Sequence, residues 1–102
     1  MSKTPEVLLK EKIIKYMKDK GHLIVTAFGD GHMPNGFPDK FGVLSSPKHL
    51  RGKFYAFEVK VPGKKPKPNQ LQWLQWIEDH GGLCAWVNSV EGVQDCLDEW
   101  AL

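Results

Sequence analysis

The chain has 102 residues, of which 25% are charged, with a formal net charge of +2; this size suits a single domain, residues 1–102, with one modest core. Two cysteines, Cys84 and Cys96, are too few and too far apart for a disulfide scaffold or a zinc knuckle, and the four histidines include no helical pair of the zinc-ligand type. The first residues lack the layout of a signal peptide and no apolar run is long enough to cross a bilayer, so a cytoplasmic protein with no membrane partner is expected.

The first predicted element is a helix over residues 5–21, with Thr4 as its N-cap and Gly21 at its end. Apolar side chains recur at helical spacing and gather on one face of this helix. Glu6 projects into the middle of that face, whereas Glu11 lies at its edge. A carboxylate directed toward a core needs a reason, and the simplest one is interaction with the helix dipole in a solvated first turn.

Three strands are predicted after this helix, followed by a second helix, a fourth strand and a closing helix. The strands cover residues 22–28, 41–46, 53–61 and 83–89, and the two later helices cover residues 70–82 and 90–102. In the order α-β-β-β-α-β-α, the first three strands can form a meander, and the crossover through the second helix makes the last strand parallel to its neighbour. The predicted fold class is therefore α/β, a mixed sheet flanked by helices.

Side-chain directions in the second half of the chain follow from the same periodicities. Asn69 is the expected N-cap of the second helix, and Leu71, Leu74 and Ile77 are expected to point inward. Strand spacing places Trp86 in the core. Core or interface packing is favoured over base stacking for the tryptophans as a group, and spare aromatic side chains in a small domain suggest a partner surface.

The charges are distributed unevenly along the chain. Residues 1–67 hold all 14 Lys and Arg against 6 Asp and Glu, a balance of +8, whereas residues 68–102 hold 6 acidic residues and a balance of −6. Such asymmetry suggests a face that attracts phosphate. In the basic part, Lys64, Lys65 and Lys67 alternate with prolines in a rigid loop, which either contacts nucleic-acid phosphates or is a solubilising linker.

Acidic and basic residues also converge in the predicted sheet. Glu58 and Lys60 lie two positions apart in the third strand, so their side chains point the same way, and burying both is costly without a compensating group. Asp39, just before the second strand, reaches the same point if the two strands are neighbours, and Glu6 leaves the first helix inward. Oxygen-rich clusters of this kind bind Mg²⁺ or Mn²⁺. The alternatives are a solvent-exposed edge-strand pair for Glu58 and Lys60 and an ordinary turn residue for Asp39.

A resemblance to a known family rests on these same residues. Pro38–Asp39, followed about twenty residues later by Glu58, Val59 and Lys60, matches the PD-(D/E)XK nuclease signature. The longer pattern runs from Glu6 through "GFPD", "FYAFEVKVPGKKPKPNQLQWL" and "HGG" to "WVNSVE". It resembles the VRR-NUC subgroup of these nucleases, in particular the minimal stand-alone versions of phages and bacteria, over nearly the whole chain. The resemblance implies a restriction-endonuclease-like core, and the cytoplasm of the host cell as the location if the protein is phage-encoded.

The resemblance also implies a role for each matching residue. The implied catalytic residues are Glu6, Asp39, Glu58, Lys60 and Gln70. The implied metal ligands are Glu6, Asp39, Glu58 and the carbonyl of Val59, while Lys60 positions the attacking water or stabilises charge on the phosphate, and Gln70 supports the site. Glu11 is an alternative to Glu6 as the helix acid.

The expected function is that of an Mg²⁺- or Mn²⁺-dependent deoxyribonuclease, an endonuclease that hydrolyses phosphodiester bonds. Branched DNA such as a Holliday junction is the expected substrate. The resemblance to resolvase-like stand-alone domains implies a homodimer, in which two sites related by a two-fold axis can cut opposing strands. The alternative is a non-catalytic DNA-binding module of a phage replication or repair complex. The preferred DNA structure, the polarity of the cut and the number of metal ions are left open by the sequence.

Overall fold

A computed structural model describes residues 2–27 and 33–102, and the last residue of the first predicted strand, Phe28, lies outside these ranges. The elements are α1 (Pro5–Asp19), β1 (Leu23–Thr26), β2 (Lys40–Val43), a 3-10 turn (Lys48–Leu50), β3 (Phe54–Val59), α2 (Pro68–Asp79), β4 (Leu83–Val87) and α3 (Val90–Trp100). The predicted order α-β-β-β-α-β-α is confirmed. None of the helices in the described part of the chain has the length and apolarity of a membrane span.

The four strands form one sheet in the order β1-β2-β3-β4. The first two pairings are antiparallel and β3 pairs with β4 in parallel, so the meander and the crossover through α2 are as predicted. In the register of the central pair, Lys40 lies opposite Phe57, and Phe41 lies opposite Ala56. Strand β3 has a neighbour on each side, and its residues Tyr55 to Val59 are all buried.

The main core lies between one face of the sheet and the helices α1 and α3. Alternate residues of β3, Tyr55, Phe57 and Val59, point into it and pack with residues that include Ile13 of α1 and Val93 of α3. The ring of Phe57 stacks on Trp100, with 5.4 Å between ring centroids. The other residues of β3, Ala56 and Glu58, therefore face the opposite side of the sheet, where α2 packs against β4.

Side-chain caps define where the helices begin. Thr4 Oγ1 accepts a hydrogen bond from the amide of Val7 at 3.2 Å, as expected for the N-cap of α1. The prediction that Asn69 caps the second helix is wrong, because α2 begins at Pro68 with Lys67 in the N-cap position. A proline is tolerated in the first helical turn, where its missing N–H would have had no partner inside the helix.

Two expectations about the core are also wrong. Leu71 is 47% exposed and Trp86 is 38% exposed, whereas Leu74 is buried as expected and Ile77 partly so. Periodicity determines which residues share a face, but it does not determine how far the neighbouring element covers that face. Strand β4 is at the edge of the sheet, so Trp86 is covered on fewer sides than a residue of β3.

Candidate active site

The sheet brings Asp39 and Glu58 together at the end where β2 begins and β3 ends. Asp39 directly precedes β2, and its carbonyl accepts a hydrogen bond from the amide of Ala27 at 2.9 Å, which extends the ladder beyond β1. Its side-chain Oδ2 accepts the backbone amide of Val59 at 3.0 Å. These two bonds hold Asp39 from both neighbouring strands.

Glu58 is a buried carboxyl group with an unsatisfied oxygen. Its side chain is 2% exposed, and its Oε1 has no hydrogen-bond partner among the described residues. Burial, together with the hydrogen bond and the negative charge of neighbouring Asp39, raises the pKa of Glu58 to about 9. The protonated carboxyl of Glu58 therefore donates to the Asp39 carboxylate when no other cation compensates the pair.

Asp39 carries the charge of this pair. Burial alone would raise its pKa, but the hydrogen bonds from Glu58 and the Val59 amide, together with the positive charge of Lys10, outweigh burial and lower the pKa of Asp39. Two carboxyl groups in contact cannot both ionise cheaply, so their pKa values move apart. This is the behaviour expected of two acids that share one proton.

The backbone of Val59 contributes a further oxygen on the same side. The N–H and C=O groups of a strand residue project to the same edge of that strand. The Val59 amide is directed at Asp39, whereas the next amide, that of Lys60, donates to Val87 O of β4 at 2.9 Å. The Val59 carbonyl therefore projects from the β2 side of β3, where Asp39 lies.

Lys60 follows directly on β3 and is half-buried. Alternation along the chain places its side chain on the same face of the sheet as Glu58. Its positive charge acts to lower the pKa of Glu58, although burial and Asp39 have the larger effect. The charge of Lys60 therefore acts on Glu58, although no ion pair within 4.0 Å joins Lys60 to either acid in the described part of the chain.

The expectation that Glu6 projects inward is wrong, because its side chain is 50% exposed. It is linked to the acid pair through Lys10, a residue that was not singled out in the sequence. Lys10 Nζ lies 3.4 Å from Asp39 Oδ1 and 3.8 Å from Glu6 Oε1. The alternative helix acid, Glu11, pairs instead with Lys3, at 2.7 and 3.0 Å from its two carboxylate oxygens. The i, i+4 spacing of Glu6 and Lys10 was a readable signal for their pairing, but nothing local indicated the contact with Asp39.

Lys40 is a second lysine that was missed. It is only 4% exposed, and its Nζ donates to Thr26 Oγ1 at 3.2 Å on the α1 side of the sheet. Burial lowers the pKa of Lys40, and the charge of Lys10 lowers it further. Its position directly after Asp39 was the only feature of the sequence that could have drawn attention to this lysine.

The loop from β3 to α2 presents the three predicted DNA-binding lysines to solvent. Lys64, Lys65 and Lys67 are all exposed. The loop opens with a turn in which the Lys64 amide donates to Val61 O at 3.0 Å and Gly63 adopts a φ of +92°, a conformation that favours glycine. The exposed ammonium groups are thus carried by a defined turn that begins two residues after Val59.

Gln70 and Trp73 fasten the beginning of α2. Gln70 Oε1 accepts the backbone amide of Lys67 at 2.8 Å, so this side chain closes the first turn of the helix. Its role in the site stays a prediction. Trp73 Nε1 donates to Asn35 O at 3.1 Å, which ties α2 to the segment that leads into Asp39. Trp73 is therefore a partly buried residue whose indole N–H has a structural partner.

These donors fit a hard divalent cation. Within residues 2–27 and 33–102, no three His, Cys, Asp or Glu side chains form a metal-binding group, and the ammonium group of Lys10 lies within 4.0 Å of both Glu6 and Asp39. The oxygen ligands that Mg²⁺ and Mn²⁺ prefer are nevertheless present. They are the carboxyl groups of Asp39 and Glu58, the second with an unsatisfied Oε1, and the Val59 carbonyl. A bound cation would compensate the acid pair that burial otherwise keeps partly protonated.

Two solved structures resemble this chain over almost its whole length. One, described as "VRR_NUC domain", gives a TM-score of 0.77 over 96% of this chain and 99% of that chain, at 23% sequence identity. Another, described as "VRR_NUC domain protein", gives a TM-score of 0.69 over 98% of this chain and 90% of that chain, at 11% identity. No protein-family model matches the chain, and no curated protein matches it significantly. The likeness establishes the fold: the chain folds as a VRR_NUC domain, in agreement with the architecture that the sequence resemblance implied.

Proposed function

We propose that this protein is a nuclease that uses Mg²⁺ or Mn²⁺ to hydrolyse phosphodiester bonds in DNA. The VRR_NUC fold supports a nuclease-type domain. The observation that carries the proposal is the contact between partly buried Asp39 and fully buried Glu58, whose Oε1 has no hydrogen-bond partner among the described residues. The charge of Lys60 acts on the same pair. Placing two acids in contact is costly for the folded protein unless a cation compensates them.

Asp39, Glu58 and the Val59 carbonyl would hold the metal ion, and Glu6 would remain the ion-pair partner of Lys10 beside it. When bound, such an ion polarises a phosphate oxygen and lowers the pKa of water. The Val59 amide keeps Oδ2 of Asp39 in place, so that carboxylate does not have to be ordered during the reaction. Lys60 supplies positive charge where the transition state of phosphodiester hydrolysis gathers negative charge.

The substrate class that we propose is branched or otherwise structured DNA. Lys64, Lys65 and Lys67 are exposed, and the first of them follows Lys60 by four residues. Their ammonium groups can therefore contact the phosphates of a DNA strand. Phosphate contacts carry no sequence information, so recognition by DNA shape is the mode that this loop supports.

We also propose that two copies act together. Four large apolar side chains on and beside α2 are more than a third exposed: Phe54, Leu71, Trp76 and Trp86. Several large exposed apolar side chains in one small domain are typical of a protein interface. Sedimentation equilibrium of the wild type and of Trp76→Lys tests this assembly; a wild type that remains monomeric at micromolar concentration contradicts it.

The activity is tested with labelled DNA substrates of one sequence composition. A four-way junction, a flap, a single strand and a plain duplex are incubated with the protein in Mg²⁺, in Mn²⁺ and in EDTA. We expect cleavage only with a divalent ion, fastest on the junction, and abolished in Lys60→Ala. Lys48→Ala, which removes an exposed lysine of the 3-10 turn, serves as the matched control and is expected to cleave normally.

Two results would contradict the proposal. Cleavage that persists unchanged in Lys60→Ala would come from a contaminating nuclease. Tight junction binding without cleavage in either metal would support the alternative, a non-catalytic DNA-binding module.

A further inference from the structure

Asp39 forms an ion pair with the side chain of Lys10. Among residues 2–27 and 33–102, Lys10 provides the one ion pair with Asp39, at 3.4 Å from Oδ1. The other oxygen, Oδ2, is bound by the Val59 amide. Of the partners of Asp39, the Val59 amide and Glu58 belong to β3, whereas Lys10 can leave Oδ1 without any change in the sheet.

We propose that Lys10 is a positioning residue that competes with the divalent ion for Asp39, and that its release from Oδ1 accompanies metal binding. This inference rests on the proposed metal site. It assigns to Lys10 a role that is distinct from catalysis: the ammonium group neutralises Asp39 until an ion arrives, and it thereby sets how tightly the ion binds.

The distances make the two cations rivals. A divalent ion coordinated by a carboxylate oxygen lies roughly 2–2.6 Å from it. Lys10 Nζ is 3.4 Å from that same oxygen, so an ion on Oδ1 and the ammonium group would share one carboxylate and repel each other. The side chain of Lys10 is 24% exposed, which limits how far solvent screens this repulsion.

The surroundings give Lys10 an alternative position. Glu6 lies one helical turn earlier, and its Oε1 is already 3.8 Å from Lys10 Nζ. The carboxylate of Glu6 is half exposed, so the lysine can pair with it at the surface after leaving Asp39. A flexible four-carbon stem permits this movement without any change in the backbone of α1.

A purely structural ion pair would behave differently. If Lys10 only stabilised α1 against the sheet, its removal would loosen Asp39 and leave metal binding unchanged or weaker. If Lys10 competes with the ion, its removal strengthens metal binding even though an ion pair is lost. A purely structural role therefore predicts an unchanged or higher dissociation constant for the metal ion, whereas competition predicts a lower one.

The test is the dissociation constant of Mn²⁺, measured by electron paramagnetic resonance and by calorimetry on the full chain without DNA. Lys10→Met keeps the apolar stem and removes the charge, and Lys10→Gln is a second variant in case the first folds poorly. Lys15→Met is the matched control, because Lys15 is on the same helix and pairs with Asp19 at 2.8 Å, away from Asp39. Asp39→Asn reports whether Mn²⁺ binds at the proposed site.

We expect Lys10→Met and Lys10→Gln to bind Mn²⁺ about five- to tenfold more tightly than the wild type, the effect of removing one partly screened charge. Lys15→Met should match the wild type, and Asp39→Asn should bind far more weakly. Equal or weaker binding by both Lys10 variants, with Asp39→Asn still defective, overturns the competition and leaves the metal site standing. Binding that is indifferent to Asp39→Asn removes the metal site and this inference together.

Discussion

Val59 donates its backbone amide to Asp39 Oδ2 at 3.0 Å, and this bond joins the end of β3 to the residue before β2. Glu58, one residue earlier, faces the same carboxylate, so sheet pairing itself places the two acids in contact. The contact destabilises the folded protein when both groups are ionised, and it lies at a point where a cation can bind. Stability, metal binding and pH dependence should therefore be linked at this site.

Replacing Glu58 with Gln should stabilise the metal-free protein at high pH only. The pKa of Glu58 is raised from 4.5 to about 9 on folding. Between these values the unfolded chain has released a proton that the folded protein keeps, so the free energy of unfolding falls as pH rises, by at most about 1.4 kcal/mol per pH unit. Glu58→Gln removes this dependence while preserving the size of the side chain.

Urea unfolding in EDTA measures the effect. We expect the variant and the wild type to be similar at pH 4, and the variant to be more stable by about 2 kcal/mol or more at pH 8. Asp79→Asn, an exposed acid at the end of α2, is the control and should show no such trend. An advantage of Glu58→Gln that is the same at both pH values would mean that Glu58 is not protonated in the folded state.

Divalent ions should stabilise the wild type and not the site variants. An ion that binds only the folded protein raises the free energy of unfolding by about 2.7 kcal/mol at one hundred times its dissociation constant. We expect Mn²⁺ to raise the thermal midpoint of the wild type and to have little effect on Asp39→Asn. The gain should be larger at pH 8 than at pH 5, because Glu58 must lose its proton to act as a ligand. Equal gains in both proteins would place the ion elsewhere.

Trp73 should hold the segment before Asp39 against α2. Trp73→Phe removes the hydrogen bond to Asn35 O and retains an aromatic ring near Phe37, whose centroid lies 5.3 Å from that of Trp73. We expect a loss of about 1 kcal/mol of stability, typical of one hydrogen bond. Amide exchange at Phe37 should accelerate, since its amide is bonded within this segment to Pro34 O.

Trp76→Phe is the control for that experiment, because Trp76 lies three residues further along α2 and is largely exposed. It should leave amide exchange at Phe37 unchanged. If Trp73→Phe and Trp76→Phe accelerate exchange equally, the effect comes from the aromatic packing of α2 and not from the bond to Asn35.

The basic loop should account for part of the salt dependence of DNA binding. Each phosphate contact contributes roughly 0.9 to the slope of log K against log salt concentration for duplex DNA. We expect the triple variant Lys64→Gln, Lys65→Gln and Lys67→Gln to reduce the slope on junction DNA by about 2–3. A matched triple variant on the exposed side of α1, at Lys12, Lys15 and Lys18, should change it much less. Equal slopes for the two triple variants would mean that DNA does not follow the loop.

Several features of the fold were predictable because they depend on local periodicity. Alternation in β3 and helical spacing in α1 identify these elements with boundaries correct to within a few residues. The pairing of neighbouring strands and the parallel crossover follow from connection lengths and handedness. The grouping of Asp39 with Glu58 needed one further assumption, that the second and third strands are adjacent, and they are.

The wrong predictions about the core concern how much of a side chain is covered by neighbouring elements. Trp86 was expected in the core because its neighbours alternate as a strand should, yet β4 is the edge strand and leaves it 38% exposed. Leu71 shares a helix with buried Leu74, but α2 buries only part of its apolar face. Neither error could be avoided from spacing alone, since spacing does not report what lies opposite.

By itself the sequence determined the order of the elements, the topology of the sheet and the positions of the acids on neighbouring strands, because each follows from patterns that repeat within a few residues. Tertiary structure alone decided that Lys10 meets Asp39, that Lys40 is buried against Thr26, and that Glu58 keeps an oxygen without a partner. These contacts join segments far apart in the chain, and their electrostatic consequences depend on distance and burial, which only the packed molecule defines.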